Sequence, residues 1–120
     1  GIAATGGVVG VNFFASFVGA TEHTVDRVAD HIEHVVSVMG TEHTGLGPDF
    51  IKDVLTETRA PFTPTLRGSD EPMPFVPGLE GPRGLPLITE RLLARGWAAD
   101  DVRRVLGGSF HDVLVAALGG

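Results

Sequence analysis

The chain of 120 residues is 42% hydrophobic and 20% charged, has no cysteine, and sets 15 Asp and Glu against 9 Lys and Arg, for a formal net charge of −6. That acidic balance, with no local Lys/Arg run, disfavours a phosphate backbone or an anionic membrane surface as partner. The absence of Cys excludes disulfides, thiolate metal sites and a cysteine nucleophile. The longest apolar stretch, Gly6 to Ala20, is interrupted by Asn12 and Ser16 and is shorter than the roughly 18 residues of a membrane span.

The length suits a single globular unit at most. The opening Gly1-Ile2-Ala3-Ala4-Thr5 reads like the tail of a helix rather than a signal peptide or a natural start, which suggests a segment of a longer chain. Gly7-Val8-Val9-Gly10-Val11-Asn12-Phe13-Phe14 is a continuous apolar run rich in β-branched and aromatic residues, the pattern of a parallel strand buried on both faces. Asn12 is its one polar side chain. Thr24 is placed to cap a following helix, Asp26 to sit in its first turn, and Gly40 to end it. Within that helix Val25, Val28, Ala29, Ile32, Val35, Val36 and Met39 form one apolar face, while Asp30, Glu33, His34 and Ser37 point the other way.

His43-Thr44-Gly45-Leu46-Gly47-Pro48-Asp49 reads as a short strand ending at Asp49, which completes a strand, helix, strand unit with parallel strands. Ile51 to Arg59 suggests a further helical turn. Residues 60–84 carry most of the eight prolines with almost no periodicity and read as a long Pro/Gly-rich surface loop. Pro86 opens a helix that Gly96 closes, Asp100 and Asp101 start a second that stops at Gly107-Gly108, and Ser109 is placed to cap a third through Leu118. Two parallel strands with open edges predict that the chain alone folds poorly or aggregates.

His31 and His34 have the three-residue spacing that places two imidazoles on one helix side, but spacing alone is weak evidence for a metal, and solvated or helix-orienting histidines are more economical. Ser109, His111 and Asp112 contain the letters of a hydrolase triad, yet neighbours on one short helix cannot converge on a substrate. The tetrapeptide Thr-Glu-His-Thr at 21–24 and 41–44 precedes different elements and is read as coincidence. Neither Gly-rich stretch matches a dinucleotide fingerprint or a P-loop. Asp49 stands apart, as a carboxylate following a buried strand at the edge where parallel α/β architectures collect their chemistry. A helix cap for the turn near Phe50 is an equal alternative.

Five stretches together resemble the C-terminal part of the membrane dipeptidase (renal dipeptidase-like) family of metallopeptidases. They are Gly7-Val8-Val9-Gly10-Val11-Asn12-Phe13, Val28-Ala29-Asp30-His31-Ile32-Glu33-His34, Gly45-Leu46-Gly47-Pro48-Asp49-Phe50, Pro77-Gly78-Leu79-Glu80, and Leu92-Leu93-Ala94-Arg95-Gly96-Trp97 running on to Val105-Leu106-Gly107-Gly108-Ser109-Phe110. The resemblance implies an α/β fold in which residues 1–120 are one partial domain of a TIM (β/α) barrel: the last two parallel strands, the helix between them and the C-terminal helices. It implies hydrolysis of dipeptides by two zinc ions whose ligands all lie upstream of the matching segment, so this chain is expected to hold no metal ligand and to be inactive alone.

By the same resemblance Asp49 is the catalytic residue, contacting the substrate amine and assisting proton transfer to the leaving amine, and Asn12, Phe14 and Phe17 join it in binding the substrate. The implied partners are a dipeptide, the N-terminal part of the same barrel and, for the whole protein, a second copy; nucleic acid is not among them. Ile51 and Lys52 replace an Asp and a Gly found after the Asp-Phe pair in many members, which bears on substrate preference. The alternatives are a non-catalytic barrel-derived binding or assembly module and another metal-dependent amidohydrolase. The composition leans towards a cytoplasmic enzyme and also suits an exported or membrane-anchored parent.

Overall fold

A computed structural model describes residues 1–19, 21–54 and 75–119. Its framework is two short parallel strands, β1 (Val9–Val11) and β2 (Thr44–Leu46), paired in the register Val9 to Thr44, Gly10 to Gly45 and Val11 to Leu46. The helices are α1 (Ala15–Val18), α2 (Val25–Met39), α3 (Leu85–Ala94), α4 (Ala99–Arg103) and α5 (Ser109–Leu118). The strand, helix, strand unit expected from the sequence is present. Its strands are shorter than the apolar runs suggest.

Thr24 caps α2 by accepting the Arg27 N–H at 3.2 Å, and Gly40, at φ 87°, donates its N–H to the Val36 carbonyl as the chain leaves the helix. Val28, Ala29 and Ile32 of α2 are fully buried, where they join Val11 and Phe13 of the β1 segment and Ile88 and Leu92 of α3. On the other side of the sheet Gly10 and Gly45 lie under the Phe110 ring of α5. A Cβ at residue 45 would collide with that ring, so the bare glycine face is what lets α5 pack there.

Several expectations are corrected. The run from Gly7 to Phe14 is not a strand buried on both faces: only Val9–Val11 is extended in the sheet, Gly10 is exposed, and Ala15–Val18 has turned into a helix. β2 ends at Leu46, not at Asp49, because Pro48 cannot donate a ladder hydrogen bond and Asp49 adopts φ 55°. Ser109 caps nothing. Its buried hydroxyl donates to the Thr41 carbonyl at 2.7 Å and lies 3.2 Å from that of Arg104, tying the start of α5 to the entry of β2. Gly107 does break the helix, as expected: its φ of 176° and ψ of −19° are non-helical, and the chain kinks there before α5 begins.

Of the turn expected over 51–59, Lys52–Val54 are helical and Ile51 is not, while residues 55–59 lie outside the described residues. So does most of the Pro/Gly-rich segment. Its described end, residues 75–84, is irregular but not all surface: Val76 and Leu79 are core residues and Gly84 is buried at the foot of α3. Glu33 is also not simply solvent-facing. Its Oε1 accepts the Trp97 indole N–H at 3.1 Å, and its Oε2 accepts from Arg95 at 2.7 Å.

Arg95, at the C-terminal end of α3, also reaches Asp26 at 3.0 Å and Asp30 at 2.9 Å, so one guanidinium fastens α3 to three carboxylates of α2. Burial works against its charge, but the hydrogen bonds to Asp26, Asp30 and Glu33 outweigh it and hold its pKa above the ordinary arginine value. While the three carboxylates are ionised, the stabilisation is therefore fully present below the ordinary arginine range and is lost as pH rises through the raised value. Arg95→Met, which keeps much of the apolar stem, is expected to cost about 2 kcal/mol, between an exposed and a buried ion pair. Denaturant unfolding should show that loss shrinking in high salt.

Candidate functional site

Asn12 directly follows β1 and Asp49 follows β2, so both stand beyond the C-terminal ends of the parallel strands. What brings them together is a close backbone approach. The Gly47 N–H donates to the Val11 carbonyl at 2.9 Å, extending the pairing one residue past β2. A Cβ on Gly10 would lie 3.2 Å from the Gly47 backbone, and one on Gly47 would lie 3.3 Å from Gly10. Glycine at both positions lets the chain cross tightly, and Pro48 and Asp49 then turn back over the end of β1.

There the Asn12 Nδ2 donates to Asp49 Oδ2 at 3.3 Å, and Asn12 Oδ1 accepts the Phe14 N–H at 2.6 Å. Asp49 is exposed and is the non-glycine residue with positive φ among those described, a conformation that Asp tolerates better than most side chains. Backbone strain of this kind gathers at functional positions.

Phe14 and Phe17 are adjacent, with ring centroids 5.7 Å apart, and Phe17 remains 67% exposed. Phe75 adds a third ring, edge-on to Phe14 at 6.2 Å and joined to it by an antiparallel bridge, with the Lys52 ammonium 6.0 Å from the Phe75 centroid. The structure thus gathers Asn12, Asp49, Phe14 and Phe17 at one edge. Phe75 and Lys52 were not anticipated there. Phe75 belongs to the Pro/Gly-rich stretch, whose lack of periodicity hides its position, and only the positive charge of Lys52 was visible.

Histidine is used elsewhere. The Nε2 of His31 lies 2.7 Å from the Val18 carbonyl, His23 Nε2 lies 3.1 Å from that of Gly19, and His43 Nδ1 lies 3.0 Å from that of Gly7. A carbonyl only accepts, so each of these nitrogens is the protonated donor. His31 therefore orients α2 against α1. His111 is 3.5 Å from Asp112, while Ser109 is turned into the interior, so these three do not form a relay. Among the described residues no three His, Asp or Glu side chains gather as a metal ion would require.

Polar side chains beyond the C-terminal ends of parallel strands are the layout of α/β enzymes. Residues 1–59 match the family model for membrane dipeptidase (peptidase family M19). The chain is 52% identical over 48 residues to an uncharacterized dipeptidase of Schizosaccharomyces pombe, covering 38% of this chain and 12% of that one. It is 30% identical over 104 residues to dipeptidase verJ of Clonostachys rogersoniana, covering 87% and 22%, and 29% identical over 90 residues to human dipeptidase 3, covering 75% and 14%. No solved structure matches. The chain belongs to the membrane dipeptidase family, and it spans between 12% and 22% of the length of these curated relatives. Among the described residues no helix is long and apolar enough to cross a membrane.

Proposed function

We propose that this chain is the C-terminal part of a zinc-dependent dipeptidase barrel and supplies the edge of its substrate cleft that handles the amine end of a dipeptide. The observation that carries the reading is the Asn12–Asp49 pair beyond the ends of two parallel strands, within a chain of dipeptidase kinship. The zinc ligands belong to residues outside these 120.

When a peptide bond is hydrolysed, oxygen adds to the carbonyl carbon, the C–N bond breaks and the departing nitrogen must gain a proton. Asp49 is exposed, acidic and held in place. As a carboxylate it is suited to bind the substrate ammonium, and to take the proton released when water adds to the carbonyl and pass it to the departing amide nitrogen. Phe14, whose N–H is bonded to Asn12, and Phe17 against it offer an apolar surface beside the pair. A parallel pair with open edges also fits a piece of a closed barrel, since closure removes those edges.

The test is an assay of the polypeptide that carries this chain together with its preceding residues. It is expected to hydrolyse dipeptides, to lose activity on chelation and to regain it with zinc, whereas the 120 residues alone bind no stoichiometric zinc and turn nothing over. Turnover by the 120-residue chain would refute the assignment of the metal ligands to other residues. A longer polypeptide that binds zinc but hydrolyses no dipeptide would favour a non-catalytic barrel.

A further inference from the structure

We propose that Asn12 is a positioning residue for Asp49, an amide held at both ends that fixes which way the carboxylate faces. The inference rests on the reading of Asp49 as the group that handles the substrate nitrogen. Asn12 Oδ1 is only an acceptor and is engaged by the Phe14 N–H at 2.6 Å, so the Nδ2 end must face the other way, towards Asp49 Oδ2 at 3.3 Å. The amide cannot flip without placing two donors together at Phe14 and two acceptors together at Asp49.

Asp49 needs such a partner. Its backbone, at φ 55°, sets where Cβ points, but the exposed side chain is otherwise free to turn about its own two torsions. The bond from Asn12 restricts that freedom by favouring the rotamer that sets Oδ2 towards Nδ2, which leaves Oδ1 as the oxygen presented to a ligand. Asn12 is itself anchored by a backbone N–H beside a fully formed strand, so the orientation is passed from the sheet to the carboxylate without any need for Asn12 to touch substrate.

The experiment compares Asn12→Ala, Asn12→Asp, Asp49→Asn and the double variant Asn12→Ala/Asp49→Asn in the full polypeptide, reading kcat and KM for one dipeptide. Asn12→Ala is expected to lower kcat about tenfold, the worth of one hydrogen bond to a charged group, with KM within about twofold. Asn12→Asp keeps the size and the acceptor for the Phe14 N–H but sets a second negative charge against Asp49. It should fold normally and lose at least as much kcat. In the Asp49→Asn background Asn12→Ala should cost less than about twofold more, because the group it positions is already gone.

An equal loss in both backgrounds, or a raised KM with kcat unchanged, would overturn the positioning role. Full activity in both Asn12 variants beside a crippled Asp49→Asn would overturn it too, and would leave the reading of Asp49 standing. Full activity in Asp49→Asn would instead remove that reading, and the positioning role with it.

Discussion

Asp49→Asn is expected to lower kcat for dipeptide hydrolysis by about a hundredfold or more, the usual contribution of a positioned proton donor. KM should change far less, and the zinc content of the whole protein should not change, since in the proposed reading the zinc ligands belong to other residues. The substitution is nearly isosteric and the site is exposed, so stability should stay within about 0.5 kcal/mol. Turnover is what separates the catalytic role from the plainer one of a helix cap, because Asn caps as well as Asp and a mere cap would leave both stability and turnover intact. The geometry already leans away from the cap, because the carboxylate accepts from Asn12 across the strand ends. Steady-state kinetics and denaturant unfolding of the same two proteins decide the matter; unchanged turnover would remove Asp49 from the mechanism.

Gly84→Ala is expected to destabilise by about 3 kcal/mol, at the upper end for overpacking, because what the new methyl meets is backbone that cannot rotate away. Gly84 closes the 3₁₀ turn Pro82–Gly84 immediately before α3, with φ −81° and ψ −15°, angles that any residue adopts. Its role is therefore one of space. A Cβ there would collide with the Gly78 carbonyl oxygen and come within 3.1 Å of the Leu79 Cα. Relief requires the Gly78–Leu79 turn to move, which pulls buried Leu79 out of the core or tilts α3 away from α2. Gly81→Ala is the matched control, since it meets nothing within 4 Å and its φ of −160° is extended backbone. Unfolding midpoints should fall for the first substitution and stay level or rise slightly for the second.

How far the site could be read in advance differs residue by residue. Asp49 was visible because a lone carboxylate after an apolar run is conspicuous in one dimension, and Asn12 because it interrupts such a run. Their hydrogen bond was not visible. It depends on the register of the two strands and on the Gly10–Gly47 approach, which two residues 37 positions apart do not encode locally. Glu33 failed for the same reason. Helical spacing sets Asp26, Asp30 and Glu33 along one side of α2, but the Arg95 and Trp97 that claim them come more than 60 residues later.

The elements whose signals are local were determined by the amino-acid sequence itself: α2 between its Thr24 cap and Gly40, the helix that Pro86 opens and Gly96 closes, and the parallel pair on either side of α2. Helix period, capping hydroxyls and glycine at positive φ act over a few residues, so they can be read without knowing the fold. Where the strands stop, which way Ser109 faces, what occupies the Gly45 face and which side chains meet at the strand ends were decided by tertiary structure alone. Those outcomes turn on contacts between segments far apart in the chain, where backbone proximity and packing override local preference.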